Sequence, residues 1–195
     1  MKIAENNDVD ILRGNLGTEL EVLLKEAIDG SDTAFRKIYE LHSGKMYSLC
    51  LRYTGGASDT DDVFQEGYIK VFKNLSTYKG AGSFEGWVRK IFVNTCLDHL
   101  KKKKSLVFGA DIEANEHVHP KAEGDTFGKL ENDDLMKIVQ QLPGGYRSIV
   151  NLYLVEGYSH KEIAGMLHIS EGTSKSQLSK ARNKLQEIIT RTNER

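Results

Sequence analysis

Apolar side chains recur along most of this chain at three- and four-residue intervals, the period of a helix that buries one face. From Asp32 to Tyr53 the positions Phe35, Ile38, Tyr39, Leu41, Met46, Leu49, Cys50 and Tyr53 keep that spacing, and Gly55–Gly56 stops it. A second stripe runs through Phe64, Tyr68, Val71, Phe72 and Leu75, at i, i+4, i+7, i+8 and i+11, which predicts one buried face on the next helix. Ser58, with Asp61 three residues later, predicts a capping box at its start. After a loop over 76–82, Ser83 predicts the cap of a long helix to about residue 103, with Phe84, Trp87, Val88, Ile91, Phe92 and Leu100 apolar. A short helix is predicted over 19–29, whereas residues 1–17 carry no period.

The pattern breaks down over 105–128, which hold Pro120, three glycines, scattered acids and little periodicity. A structureless loop of that length is uncommon inside one compact domain, so a domain boundary is expected there. Helices resume near Lys129 and stop at Leu142. Pro143 suits the first turn of the next helix, with Ile149, Val150, Leu152, Tyr153 and Val155 behind it. No strand is predicted. The expected architecture is all-α: a flexible N-terminus over 1–18, a small helical domain over 19–104, a flexible acidic linker over 105–128, and a second small helical domain over 129–195.

The C-terminal end carries the clearest motif. Ser159 and Glu162 form a capping box ahead of Ile163, Ala164 and Leu167, and Ala164 is small enough to let a second helix cross closely. His168–Ile169 makes a turn, and His tolerates a left-handed backbone better than most residues. Ser170 then caps a second helix with Leu178, Ala181, Leu185 and Ile188 toward the core. A short helix, a tight turn and a long helix are the helix-turn-helix arrangement, whose second helix meets base edges in the major groove through its first residues. Here these are Glu171, Thr173, Ser174, Lys175, Ser176 and Gln177, which are small, polar or basic.

Charge sharpens this picture only when taken by segment. Over all 195 residues, 27 Lys+Arg nearly balance 28 Asp+Glu. Yet residues 87–104 hold six bases and one acid, 159–195 hold seven bases and four acids, and 105–131 hold two bases and six acids. Two basic blocks flanking an acidic stretch predict two anion-contacting surfaces. They also lead us to expect that the free protein folds them together and binds duplex DNA poorly. Only two cysteines occur, Cys50 and Cys96, both in apolar helical patterns. That excludes a disulfide scaffold and suits a reducing cytoplasm. No secretory signal is seen, and no apolar run approaches the ~20 residues of a membrane helix. Neither a metal nor a cofactor is expected. His117 and His119 lie near Glu113 and Glu116, but within the linker, where a solvated loop is the better reading. There is no nucleophile elbow or phosphate loop.

The stretch DTDDVFQEGYIKVFKNL sets Asp62, Gln65, Glu66 and Ile69 beside the apolar stripe, an acidic face that suits a protein partner. FEGWVRKIFVNTCLDHLKKKK follows, aromatic-rich and ending in four lysines, and aromatics beside basic charge suit single-stranded nucleic acid.

Three blocks in this order, the acidic helix, SFEGWVRKIFVNTCLDHLKK and LPGGYRSIVNLYLVEGYSHKEIAGMLHISEGTSKSQLSKARNKL, resemble bacterial sigma factors of the extracytoplasmic-function group. The resemblance spans roughly 34–104 and 135–189. It implies that Asp61, Asp62, Phe64, Gln65 and Glu66 dock on core RNA polymerase. It implies that the loop over 76–83 and the next helix hold the melted −10 element, through Tyr78, Phe84, Trp87, Asn94, Asp98, Lys101 and Lys102. The −35 duplex would be read from Ser170 through the six residues above, with Lys180 and Arg182 carrying outward charge. An anti-sigma factor is a candidate partner. Val93, Ser174 and Gln177 stand where arginine, valine and arginine are frequent in the group. The 24 linker residues reach at most ~80–86 Å, against ~70 Å for two turns of DNA. The competing readings are a stand-alone helix-turn-helix regulator with an N-terminal sensing or dimerisation domain, and an enzyme. The acidic helix and near-neutral charge weigh against the regulator.

Overall fold

Ser31 starts the first long helix: its hydroxyl accepts from the Ala34 amide at 3.3 Å, satisfying one of the orphan donors at a helix start. The computed structural model describes residues 19–103 and 137–193, and the expected loose N-terminus and acidic linker lie outside them. Within that span, α1 covers 19–28, α2 is Asp32–Thr54, α3 is Ala57–Lys73, and a 3₁₀ turn occupies Leu75–Thr77 ahead of α4, Phe84–Lys102. Then come α5 over 137–140, α6 at Gly144–Val150, a π-helical turn at Asn151–Val155, α7 at His160–Leu167 and α8 at Glu171–Asn193. Among the described residues the regular elements are all helical, in two units, as the hydrophobic periods require.

The first unit packs α2, α3 and α4 against one another. Ile38, Met46, Leu49, Cys50, Tyr53, Val63, Val71, Phe92, Val93 and Cys96 are at 0% exposure between them. Gly67 is where α3 and α4 close up: a Cβ there would sit 2.4 Å from Phe92 Cε1. The expected stripe of α2 is too wide, because Tyr39 and Leu41 are 39% and 57% exposed.

The α2–α3 junction follows the sequence at one residue and departs at the next. Gly55 ends α2 in the left-handed region at φ 75. A side chain there would be strained, and its Cβ would lie 1.8 Å from Arg147 Nη1. The capping box expected at Ser58 does not form. The cap is Gly56, with no side-chain bond. With only two glycines between the helices, the chain re-enters helix at Ala57 and leaves Ser58 inside the first turn. Thr60 folds back onto the preceding turn, its hydroxyl donating to the Gly56 carbonyl at 2.7 Å, which caps no free amide.

In the second unit α6 and α7 both pack on α8, around Leu142, Ile149, Leu152, Ile163, Ala181 and Leu185. Pro143 is the N-cap rather than a first-turn residue, one position from expectation. The Ser159–Glu162 capping box forms from both sides, and His168 adopts φ 56, ψ 45 at the end of α7. Ser170 caps α8 by accepting from the Thr173 amide at 2.9 Å. The π turn had no sequence signal, and it carries Asn151 at 0% exposure.

Candidate functional site

The acidic face of α3 borders an aromatic groove. Asp61, Asp62 and Gln65 are exposed, and Tyr39, Ser43, Gly44, Tyr47, Asp61, Phe64 and Gln65 line a groove of about 470 Å³. Phe64 forms its floor, 5.3 Å from the Tyr47 ring and 6.0 Å from Tyr39. The Tyr47 hydroxyl donates to Asp61 Oδ1 at 3.0 Å, and losing that bond disfavours the phenolate, so its pKa is raised. Glu66 turns along the helix to Lys70 at 2.9 Å, and this bond lowers its pKa. An acid-rimmed apolar groove can accept a basic or amphipathic helix.

A second surface follows one stripe of α4. Trp87, Asn94, Asp98 and Lys101 fall at i, i+7, i+11 and i+14, hence on one side of the helix. Asn94, Asp98, Lys101 and Lys102 are exposed and Trp87 is half-buried. At its N-terminal end Tyr78, Phe84 and Trp87 form an aromatic stack, with Phe84 and Trp87 5.6 Å apart and 26° from parallel. The Tyr78 hydroxyl donates to the Gly82 carbonyl at 2.8 Å and closes the loop between them. Phe84 does not belong among the exposed contacts, since it is 2% exposed. It buttresses Trp87 from the core side.

The third surface is the start of α8. Glu171, Lys175, Ser176, Lys180 and Arg182 are exposed, Ser170 opens the helix, and Thr173 is half-buried. Lys175 pairs with Glu171 at 2.7 Å, and that bond lowers the Glu171 pKa. Two expected base contacts are corrected. Ser174 is at 0% exposure and shares a hydrogen bond of 2.9 Å with His160 Nδ1. The His160 ring in turn stacks on Tyr153 at 4.5 Å. Gln177 is 8% exposed. The reason is register: Ser174 precedes Leu178, Ala181 and Leu185 at core spacing, and Gln177 lies one turn before Ala181. The same register could have revealed both from the sequence.

One cluster escaped sequence reading entirely. Glu156, with a side chain 3% exposed, meets Arg52 at 3.2 Å. It also accepts from Arg89 Nη2 at 3.0 Å and from Arg89 Nε. These partners lie 104 and 67 residues away, so no local pattern announces them. Among the described residues no group of His, Cys, Asp and Glu is arranged to hold a metal ion, and no helix is long and apolar enough to cross a membrane.

Comparison with known proteins gives two family matches in tandem: Sigma-70 region 2 over residues 38–106, and Sigma-70, region 4 over 132–185. The chain is similar to the ECF RNA polymerase sigma factor SigW of Bacillus subtilis (strain 168), 27% identical over 184 residues, covering 87% of this chain and 98% of that protein. It is also similar to the ECF RNA polymerase sigma-E factor of Escherichia coli (strain K12), 28% identical over 186 residues, covering 88% and 96%. Among solved structures, the fold resembles the sigma factor RpoE from Bartonella quintana, crystallised with the anti-sigma factor NepR. That match has a TM-score of 0.51 and 22% identity, over 80% of this chain and 96% of that one.

Proposed function

This chain belongs to the extracytoplasmic-function group of RNA polymerase sigma factors, and on that premise we propose how its surfaces divide the work of initiation. As an alternative sigma factor it binds core RNA polymerase and directs it to promoters for transcription initiation. In our reading Asp61, Asp62 and Gln65 meet a polymerase helix, and Phe64 receives its apolar side. Charges on such a rim mainly set association rate and salt dependence.

The α4 stripe takes the melted −10 strand. Trp87 offers a stacking face, Asn94 and Asp98 offer hydrogen-bond groups, and Lys101 and Lys102 offer charge to phosphate. Holding a flipped base this way offsets a few kcal/mol of lost stacking. The start of α8 enters the −35 major groove, with Thr173 and Ser176 nearest the base edges and Lys175, Lys180 and Arg182 on the backbone. We propose that the boundary between the two units falls within 105–128, as these separate roles require. The factor works by binding rather than catalysis, in the cytoplasm where polymerase acts. An anti-sigma protein is a proposed partner, since RpoE of Bartonella quintana is seen with one.

The observation carrying this reading is the order of surfaces on one chain: acid-rimmed groove, aromatic and basic stripe, then a capped helix-turn-helix. Run-off transcription with purified core polymerase tests it. Transcript that depends on adding this protein is expected; a protein that instead binds its own operator without polymerase would restore the regulator reading.

A further inference from the structure

The two units touch through a set of hydrogen bonds and ion pairs. Its seat is the last turn of α2, where the Arg52 and Tyr53 carbonyls lie past the closing bond from the Gly55 amide to the Leu51 carbonyl and the helix dipole is negative. Gln140 Nε2 donates to the Leu51 carbonyl at 3.4 Å, Asn151 Nδ2 to that of Arg52 at 3.0 Å, and Arg147 Nη1 to that of Tyr53 at 3.4 Å. Beside this seat the Glu156 carboxylate is held by Arg52 and Arg89. Further along, Lys101 Nζ donates to the Met166 carbonyl on α7 at 3.3 Å.

This arrangement conflicts with the proposed promoter complex. Lys101 belongs to the −10 stripe, yet it bonds to the helix-turn-helix, whose −35 target lies ~70 Å along the duplex from the −10 element. Both surfaces cannot engage their elements while the units are joined. An interface held by ion pairs and backbone caps can part, because the groups it exposes are rehydrated, and a pair as buried as Glu156 with Arg52 is little screened by salt.

We propose that Glu156, clamped by Arg52 and Arg89, is an interdomain latch that holds the free sigma factor closed and must release for the two units to span a promoter. The contact differs from the one expected from charge, which set basic blocks against the acidic linker. Here a single buried carboxylate in the second unit meets two arginines in the first. The inference rests on the proposed division of promoter contacts, but its test does not need polymerase.

Small-angle scattering of the full chain measures the radius of gyration of wild type, Glu156→Lys, Arg89→Ala and the swap Glu156→Lys with Arg89→Glu, at low and high salt. Wild type is expected to be compact at both, since the buried Glu156 pair is little screened. Glu156→Lys and Arg89→Ala are expected to be expanded at both, with helical circular dichroism retained, and the swap to recover compaction. If the closed state holds about nine-tenths of molecules, opening raises the apparent affinity for a promoter fragment carrying both elements, its −10 strand unpaired, about tenfold. Unchanged dimensions in both Glu156→Lys and Arg89→Ala overturn the latch. Should Glu156→Lys lose its helical signal, Arg89→Ala, altered at a side chain 32% exposed, decides alone. A wild type that supports no run-off transcript fails the functional reading instead, whatever the scattering shows.

Discussion

The two helical units solve the same packing problem with different materials. The first buries an aromatic cluster: Tyr68 lies 5.1 Å from Phe92 and 5.2 Å from Phe64, and Phe35 lies 4.9 Å from Phe72. The second draws more on polar groups inside, with Ser148, Ser174 and Gln177 buried, although the first also buries Thr60 and Thr95. Ser148 donates back to the Gly144 carbonyl at 2.8 Å, and Ser174 is tied to His160. Apolar packing has little directional preference, so it supplies stability. Hydrogen bonds are directional, so they set the angle at which one helix crosses another. The unit that must present α8 to a groove uses the directional material.

The largest expected effect tests the apolar half. Phe92→Ala removes a ring at 0% exposure from under Gly67 and is expected to cost about 3–5 kcal/mol. Thermal melts of the full chain would show it. A loss no greater than that of a polar change in the second unit would erase the distinction.

Next comes the tie in the second unit. Ser174→Ala leaves His160 Nδ1 without its partner and is expected to cost about 1 kcal/mol, with weaker −35 binding at unchanged base preference. A stability gain with unchanged binding would show that the tie does not set the angle of α8.

A smaller pair of effects separates inward from outward residues on α8. Lys180→Ala is expected to weaken all −35 sequences alike and to lower the salt slope by about one. Gln177→Ala is expected to leave base preference intact, because the side chain faces the core. A library of −35 elements at two salt concentrations measures both. A changed preferred base for Gln177→Ala would mean that α8 rotates on binding.

The subtlest test lies back in the first unit. His42 is 9% exposed and packs on Phe84, with both ring nitrogens lacking partners. Burial is the main cause that lowers its pKa below 6.5, with Lys45 adding to it and Glu85 opposing. The neutral ring is thus favoured in the fold. Its contribution is fully present above pH 6.5 and is lost as pH falls through the lower native value. Melts across that window should show the first unit weakening toward acid, and His42→Phe should flatten the slope. An equal slope in the variant would move the titration elsewhere.

Most of the helices were legible because their causes are local. The Ser83 and Ser170 caps, the Ser159–Glu162 box and the Gly55 stop act over three or four residues, and each appears in place. The failures at Ser58 and Pro143 are shifts near a helix start, where a neighbouring residue competes for the same cap. The site was legible to the level of which helix does what, but not of which side chains face outward. Phe84, Ser174 and Gln177 have residue types that suit nucleic acid, whereas helical register gives them to the core.

By itself the sequence determined the helical periods, the order of the three surfaces and the family they mark, since each is written in neighbouring residues. Only tertiary structure decided that Glu156 would find Arg52 and Arg89, and that Asn151 and Arg147 would cap the end of α2. Those pairings join residues from about 67 to 104 positions apart. The chain entropy of bringing such distant groups together is met by packing both units, and no short stretch of residues records that outcome.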